Sequence, residues 1–108
     1  MERTPLPITV ANARRLPMTE GRNSAEVFRD GDLVEVRMAP RSTLGPQVPH
    51  DRDELYFVAS GSGHYRVGDN VTAIGAGDLL FAAAHAPHGF EDFSDDFAVW
   101  VVFYGPRK

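Results

Sequence analysis

Short apolar segments that alternate with turn residues are the feature of this 108-residue chain that most constrains its fold. Between residues 25 and 104 these segments are separated by Gly, Asp, Asn, Pro or Ser turns, at intervals of about eight to twelve residues. No segment carries the apolar period of a long amphipathic helix. The pattern predicts an all-β protein whose sheets form a sandwich or a closed barrel, because both arrangements protect the sheet edges.

Turn residues locate the individual strands. The Asp-Gly-Asp sequence at 30–32 separates two β-rich segments, residues 25–29 and 33–38. It predicts a hairpin, because Asp-Gly is a favoured hairpin turn. Side chains in the second arm alternate as a half-buried strand requires. Further strands bring the total to about ten, and they are expected at residues 8–11, 55–59, 64–67, 71–74, 79–84, 90–93 and 97–104.

Two segments carry more specific expectations. Residues 97–104 are apolar on both faces, which predicts a central strand or a strand that a partner covers. Residues 12–23 contain Pro17, Gly21 and several charges. They are expected to form a loop with at most one turn of helix.

The composition limits the size of the fold and its partners. A chain of this length is expected to be a single domain (1–108), with an N-terminal arm and loop over 1–24 and a barrel over 25–104. The net charge of −4 and the lack of a Lys/Arg run argue against a nucleic-acid partner. The chain has no cysteine, which excludes disulfides and thiolate metal sites. With neither a signal peptide nor a membrane span, a cytoplasmic protein without a membrane partner is predicted.

Two histidines and one glutamate form the candidate site. His50 and Glu54 stand at the entry to a predicted strand, and they converge if the chain bends or bulges between them. His88 lies in a loop after an apolar segment. Imidazole and carboxylate are common ligands of divalent metals. The alternatives are that both histidines are loop residues, and that Glu54 is exposed or pairs with an arginine, for which the candidates are Arg37, Arg41 and Arg52.

These residues resemble the first motif of the cupin superfamily. That motif has two histidines one residue apart, then three residues, a glutamate, six residues and a glycine. His50, Glu54 and Gly61 fall in register as the second histidine, the glutamate and the glycine, and Val48 occupies the position of the first histidine. The second motif is matched by Gly77 and His88, while three of its positions differ: Ala83, His85 and Asp92 replace its proline, glycine and asparagine. The resemblance implies a jelly-roll β-barrel, also called a double-stranded β-helix.

The resemblance further implies a divalent metal (Fe, Zn, Mn or Ni) held by His50, Glu54 and His88. Val48 cannot bind a metal, so Gln47, His85 or water is expected to take the missing position. Strict alternation puts Tyr56 and Val58 on the side of Glu54, next to the site, and Leu55 and Phe57 on the other side. Tyr56 is therefore a candidate catalytic residue. His64 is the second candidate, although it is also expected at the surface or the barrel mouth.

Three functions are compatible with these expectations. The first is a metal-dependent oxygenase, isomerase or lyase that acts on a small organic molecule. The second is a non-catalytic cupin that binds or senses a small molecule without a metal. The third is a structural partner protein whose apolar last segment, residues 97–104, forms a homodimer. A homodimer is also compatible with the first two functions.

Overall fold

A computed structural model describes residues 6–40 and 50–108. It places one short helix in the described residues, α1 (Val10–Ala13). The same residues contain eight strands: β1 (Ala25–Asp30), β2 (Val34–Pro40), β3 (Asp53–Ser60), β4 (Ser62–Val67), β5 (Asn70–Gly75), β6 (Leu79–Ala82), β7 (His88–Glu91) and β8 (Ala98–Tyr104). The all-β expectation is confirmed. None of the described helices is long and apolar enough to cross a membrane.

The strands form two antiparallel sheets with a shared apolar core. One sheet has five strands in the order β1-β2-β8-β3-β6, and the other has three in the order β5-β4-β7. The core contains side chains from both sheets, among them Tyr56, Val58, Tyr65, Phe90 and Val99. As the two-sided apolar sequence predicts, β8 is central, because it pairs with β2 on one side and β3 on the other. The hairpin of β1 and β2 is confirmed as well.

The expected strand at residues 8–11 is wrong. The chain instead forms α1, and the Thr9 hydroxyl caps it by accepting a hydrogen bond from the backbone N–H of Asn12 at 3.1 Å. Ala13 is fully buried in a second apolar cluster with Val27 and Met38. The four residues 8–11 are too few to show a period that separates a strand from a helical turn.

Two strands show how the barrel faces are assigned. In β3, Glu54, Tyr56 and Val58 are buried and Phe57 is 39 % exposed, as alternation predicts. The register shift against β8 follows Val58, so it does not invert these faces. In β2 the charged Glu35 and Arg37 are the buried set, whereas Val34 and Val36 are only half-buried.

Candidate metal centre

Glu54 lies at the middle of the candidate site. It projects from the inner face of β3, and its side chain is only 1 % exposed. The Nε2 atom of His50 is 3.8 Å from one carboxylate oxygen, and the Nε2 atom of His88 is 3.7 Å from the other. The structure thus brings the three predicted ligands together. The expected bend between His50 and Glu54 is present, because β3 begins only at Asp53.

His88 is the first residue of β7, not a loop residue, and its orientation is fixed. Its Nδ1 atom is 2.8 Å from the backbone carbonyl oxygen of Ala86 and donates its hydrogen there. The Nε2 atom therefore carries a lone pair, and it lies 2.8 Å from the Tyr56 hydroxyl group and 3.7 Å from Glu54. Metal-bound histidines commonly use the second ring nitrogen in this way, with a backbone carbonyl as acceptor. The side chain is 1 % exposed, so water does not compete for the ring.

His50 approaches from the chain segment before β3. Its ring packs edge-on against Phe103, with 5.0 Å between ring centroids. Burial lowers the pKa of His50 below its usual value, although the negative charge of Glu54 acts in the opposite direction. His50 is therefore neutral at pH 7, which is the form that binds metals.

Tyr56 completes the buried cluster. Its hydroxyl group contacts a carboxylate oxygen of Glu54 and lies 2.8 Å from the Nε2 atom of His88. Burial and the charge of Glu54 raise the pKa of Tyr56, so the phenol keeps its proton. Its single hydrogen can go to Glu54 or to His88 but not to both.

The negative charge of Glu54 has no arginine partner among residues 6–40 and 50–108. Two of the three arginines proposed for it, Arg37 and Arg52, are both bonded to Glu35 instead. The third, Arg41, lies outside the described residues, as do Val48 and Gln47. A buried carboxylate needs a proton or a cation, because its desolvation is otherwise costly. In the described part of the site, the available partners are Tyr56 and the two histidines.

The predicted ligands suit a divalent metal in their chemistry but are not arranged around one position. Two imidazole nitrogens and a carboxylate are suitable donors for Fe, Zn, Mn or Ni. The Nε2 atoms of His50 and His88 face different carboxylate oxygens of Glu54, at 3.8 and 3.7 Å, and the Tyr56 hydroxyl group contacts both Glu54 and His88. An ion bound by all three residues would therefore require these side chains to rearrange. In the described residues, no group of three or more His, Asp or Glu side chains is arranged so that it could hold a metal ion.

Space is present beside two of the three predicted ligands, His50 and Glu54. A pocket of about 20 Å³ is bordered by His50, Glu54, Tyr56, Arg22 and Phe103, among other residues. This volume holds a single water-sized occupant. The pocket therefore provides one position next to Glu54 that a protein side chain does not fill.

The remaining two histidines lie away from the cluster. His64 pairs with Glu91 of β7 across the three-stranded sheet, on the face opposite the buried Tyr65. Its Nδ1 atom is buried and has no hydrogen-bond partner in the described residues. His85 is exposed, and its ring contacts the carbonyl oxygen of Lys108 at 2.6 Å. Of the two candidate catalytic residues, Tyr56 is in the site and His64 is not.

His85 has a structural part through its backbone. Its N–H donates a 2.7 Å hydrogen bond to the carbonyl oxygen of His50. The bond joins the segment before β3 to the segment before β7, and each of these segments carries one of the predicted histidine ligands. His85 thus positions the site without contributing its side chain.

Sequence reasoning missed the charged network next to the site. Glu35 accepts hydrogen bonds from Arg37 at 2.6 Å and Arg52 at 2.7 Å, and it pairs with Arg29 at 3.0 Å. Burial alone would raise the pKa of Glu35, but the hydrogen bonds from Arg37 and Arg52 outweigh it and lower the pKa. The signal was present in the alternation of β2, which separates Glu35 and Arg37 from the valines but does not tell which set is inside.

Comparison with known proteins identifies the family. Residues 34–104 match the model of the cupin domain family, which is more than half of the chain. The chain therefore belongs to the cupin family. The structure is also similar to that of an uncharacterised protein with a double-stranded β-helix domain from Klebsiella pneumoniae, with a TM-score of 0.67. The two sequences are 20 % identical, and the match covers 93 % of this chain and 90 % of that one.

Two curated relatives match at higher identity. An uncharacterised protein of Streptomyces coelicolor is 39 % identical over 66 residues, which are 61 % of this chain and 63 % of that protein. Acireductone dioxygenase 1 of Pectobacterium atrosepticum is 35 % identical over 103 residues, which are 90 % of this chain and 59 % of that protein. The chain thus spans about three fifths of the length of each curated relative.

Proposed function

We propose that this cupin domain binds a divalent metal through His50, Glu54 and His88 and acts as a metal-dependent enzyme on a small organic molecule. The observation that carries the proposal is the buried Glu54, which faces two imidazole Nε2 atoms and has, among the described residues, no arginine or lysine within ion-pair distance. A divalent ion would supply the missing positive charge. The match to a protein named acireductone dioxygenase supports an oxygenase, with an isomerase or a lyase as the other members of the class.

The chain's own residues have distinct roles in this proposal. A bound metal would supply Lewis-acid or redox chemistry at a substrate oxygen. His88 is held in one tautomer by the carbonyl group of Ala86, and Glu54 is held at the inner face of β3. Because its pKa is raised, Tyr56 acts as a hydrogen-bond donor that orients the substrate and not as a base. The pocket next to Glu54 is the position where a substrate atom or water would lie.

Metal content tests the proposal. We expect about one divalent ion per chain in protein purified without a chelator or a metal-binding tag. The His88→Ala variant should lose the ion because one of three ligands is removed. The His64→Ala variant is the matched control, since that histidine lies on the outer face of β4, and it should keep the ion. Elemental analysis of the three proteins gives both the amount and the identity of the metal.

A non-catalytic binding protein is the second candidate function. It is favoured by the Tyr56 hydroxyl group, which contacts Glu54 and lies 2.8 Å from the Nε2 atom of His88, in the place where a metal would have to bind. Metal absent from the wild type even after reloading would contradict the enzyme proposal and support this one. A small ligand should then raise the melting temperature equally with and without a chelator.

We further propose that the domain forms a homodimer through the outer face of the five-stranded sheet. Phe57, Leu79 and Phe81 expose 39, 59 and 50 % of their surface there. They belong to β3 and the neighbouring edge strand β6, where Leu79 pairs with Phe57 in register. Contiguous exposed apolar residues of this kind commonly mark protein interfaces.

The oligomeric state tests the dimer. We expect the wild type to sediment as a dimer, and the Phe81→Lys variant to sediment as a monomer because the charge would be buried in the interface. Val71→Lys is the matched control, since Val71 is 44 % exposed on β5 of the other sheet. A monomeric wild type, or equal dissociation of both variants, would contradict the assignment of this face.

A further inference from the structure

A wide recess lies next to the candidate metal centre. It has a volume of about 350 Å³, which is sufficient for a small organic molecule. Its wall shares Arg22, His50 and Phe103 with the 20 Å³ pocket beside Glu54. A molecule in the recess would therefore reach the predicted ligands at one end.

The wall of this recess is rich in arginine. Arg22, Arg29, Arg52 and Arg107 line it, against two carboxylates, Glu35 and Asp51. The excess of positive charge is local, because the chain as a whole has a net charge of −4. A concave surface of one sign concentrates molecules of the opposite charge.

Both carboxylates of the recess are already paired. Glu35 accepts a hydrogen bond from Arg52 and forms an ion pair with Arg29. It also accepts a hydrogen bond from Arg37, which is buried and does not line the recess. Asp51 pairs with Arg107, with 2.8 Å between the nearest nitrogen and oxygen atoms. Neither carboxylate is left to neutralise the fourth arginine of the wall.

Arg22 is that fourth arginine. No Asp or Glu side chain in residues 6–40 and 50–108 lies within ion-pair distance of its guanidinium group, which lies 6.0 Å from the ring centroid of Phe103. Burial and the positive charges of Arg37, Arg52 and Arg29 lower the pKa of Arg22, while the charge of Glu35 raises it. An anion beside Arg22 would relieve this repulsion.

The ring of Phe103 organises the recess. Arg52 lies 5.2 Å from its centroid, and the His50 ring contacts the same ring edge-on. The ring thus sets Arg22 and His50 around one apolar surface. Phe103 itself is only 4 % exposed, so a molecule in the recess would meet mainly the arginine and histidine side chains around this ring, with its acidic group at Arg22.

We propose that this recess binds the acidic group of a small organic anion, with Arg22 as the anchoring residue and Phe103 as the buried ring against which Arg22 lies. The acidic group is a carboxylate or a phosphate, which a guanidinium group binds through two parallel hydrogen bonds. The proposal names the substrate class of the metal site, and in that respect it rests on the proposed function. The binding of the anion by arginine does not itself require a metal.

Calorimetric titration with inorganic phosphate and with succinate, at low and at physiological salt, tests the proposal. We expect saturable binding of at least one probe by the wild type, weakened by salt. The Arg22→Gln variant should bind the better probe about 10- to 100-fold more weakly, the usual loss for a charge-assisted hydrogen bond. The matched control is Arg15→Gln, an exposed arginine with the same change of net charge, and it should bind as the wild type does. Preference for phosphate or for succinate then assigns the acidic group.

The His88→Ala variant separates this inference from the proposed function. If it loses the metal and still binds the probe, the anion is held by the arginine and not by the ion, and the inference stands. If it loses the probe while Arg22→Gln retains it, the anion is bound to the metal and the inference is wrong. Absence of metal from every protein, with probe binding still lost in Arg22→Gln, would overturn the proposed function and leave this inference intact. Absence of saturable binding of both probes to the wild type would overturn the inference.

Discussion

Replacement of Glu35 by glutamine is expected to lower the free energy of unfolding by about 3–5 kcal/mol, the usual loss when one partner of a buried ion pair is removed. The Glu35 side chain is 3 % exposed, and those of Arg37 and Arg52 are 2 and 7 % exposed. Without the carboxylate, these two guanidinium groups have no anionic partner in the described residues. Urea denaturation at pH 7 measures the loss.

The matched control is Glu26→Gln. Glu26 also pairs with an arginine, Arg29, but its side chain is 40 % exposed. An exposed pair contributes about 0–1 kcal/mol, so the control should unfold close to the wild type. A similar loss in both variants would show that burial of the Glu35 network contributes nothing.

The dependence on pH gives the same prediction an independent check. The arginine partners of Glu35 lower its pKa in the folded state. The contribution of Glu35 to stability is therefore fully present above 4.5, the ordinary pKa of a glutamate side chain. The contribution is lost as the pH falls through the lowered pKa of the folded state. The difference between the wild type and Glu35→Gln should therefore be largest near neutral pH and shrink in acid. A difference that is constant down to pH 3 would contradict the role of the carboxylate charge.

The Gly61→Ala variant is expected to lose about 2–5 kcal/mol of unfolding free energy, from positive φ and from overpacking together. Gly61 has a φ of 76° in the tight connection from β3 to β4. A Cβ atom there would lie 2.5 Å from the Ser94 Oγ atom and 2.8 Å from the Cα atom of Phe97. The backbone of Phe97 cannot move aside easily, because this residue is fully buried in the core.

Gly68→Ala separates the two causes. Gly68 has a φ of 58°, and a Cβ atom added to it would meet nothing within 4 Å. This control should lose only the conformational part, about 1–2 kcal/mol. Thermal or urea denaturation of both variants gives the contact contribution by difference. Equal losses would show that the close approach to Ser94 and Phe97 is relieved by a small movement of the chain.

Most of the strands could be predicted because the information is local. The hairpin turn at 30–32 and the two-sided apolar sequence of β8 each predict one feature that the structure contains. The faces of β3 also follow from alternation, which correctly puts Tyr56 beside Glu54. The prediction of a strand at residues 8–11 was wrong, because four residues carry too little periodicity to separate a strand from a helical turn.

The charged interior could not be predicted for a different reason. Alternation in β2 divides the side chains into two sets, but only contacts from distant parts of the chain decide which set is inside. Arg52 lies 17 residues from Glu35 in sequence, and Ser24, which bonds to Arg37, lies 13 residues from it. The candidate ligands were easier to find, because His50 and Glu54 belong to one motif with fixed spacing. Their binding of a metal stays a prediction.

The contact between the Tyr56 hydroxyl group and the Nε2 atom of His88 links the two sheets of the domain. Tyr56 belongs to β3 of the five-stranded sheet and His88 to β7 of the three-stranded sheet. Any ion or small molecule that contacts Glu54 and His88 together would therefore act as a clamp on the whole sandwich, and its binding energy would add to folding stability. Thermal melting can then rank ligands before the reaction is known.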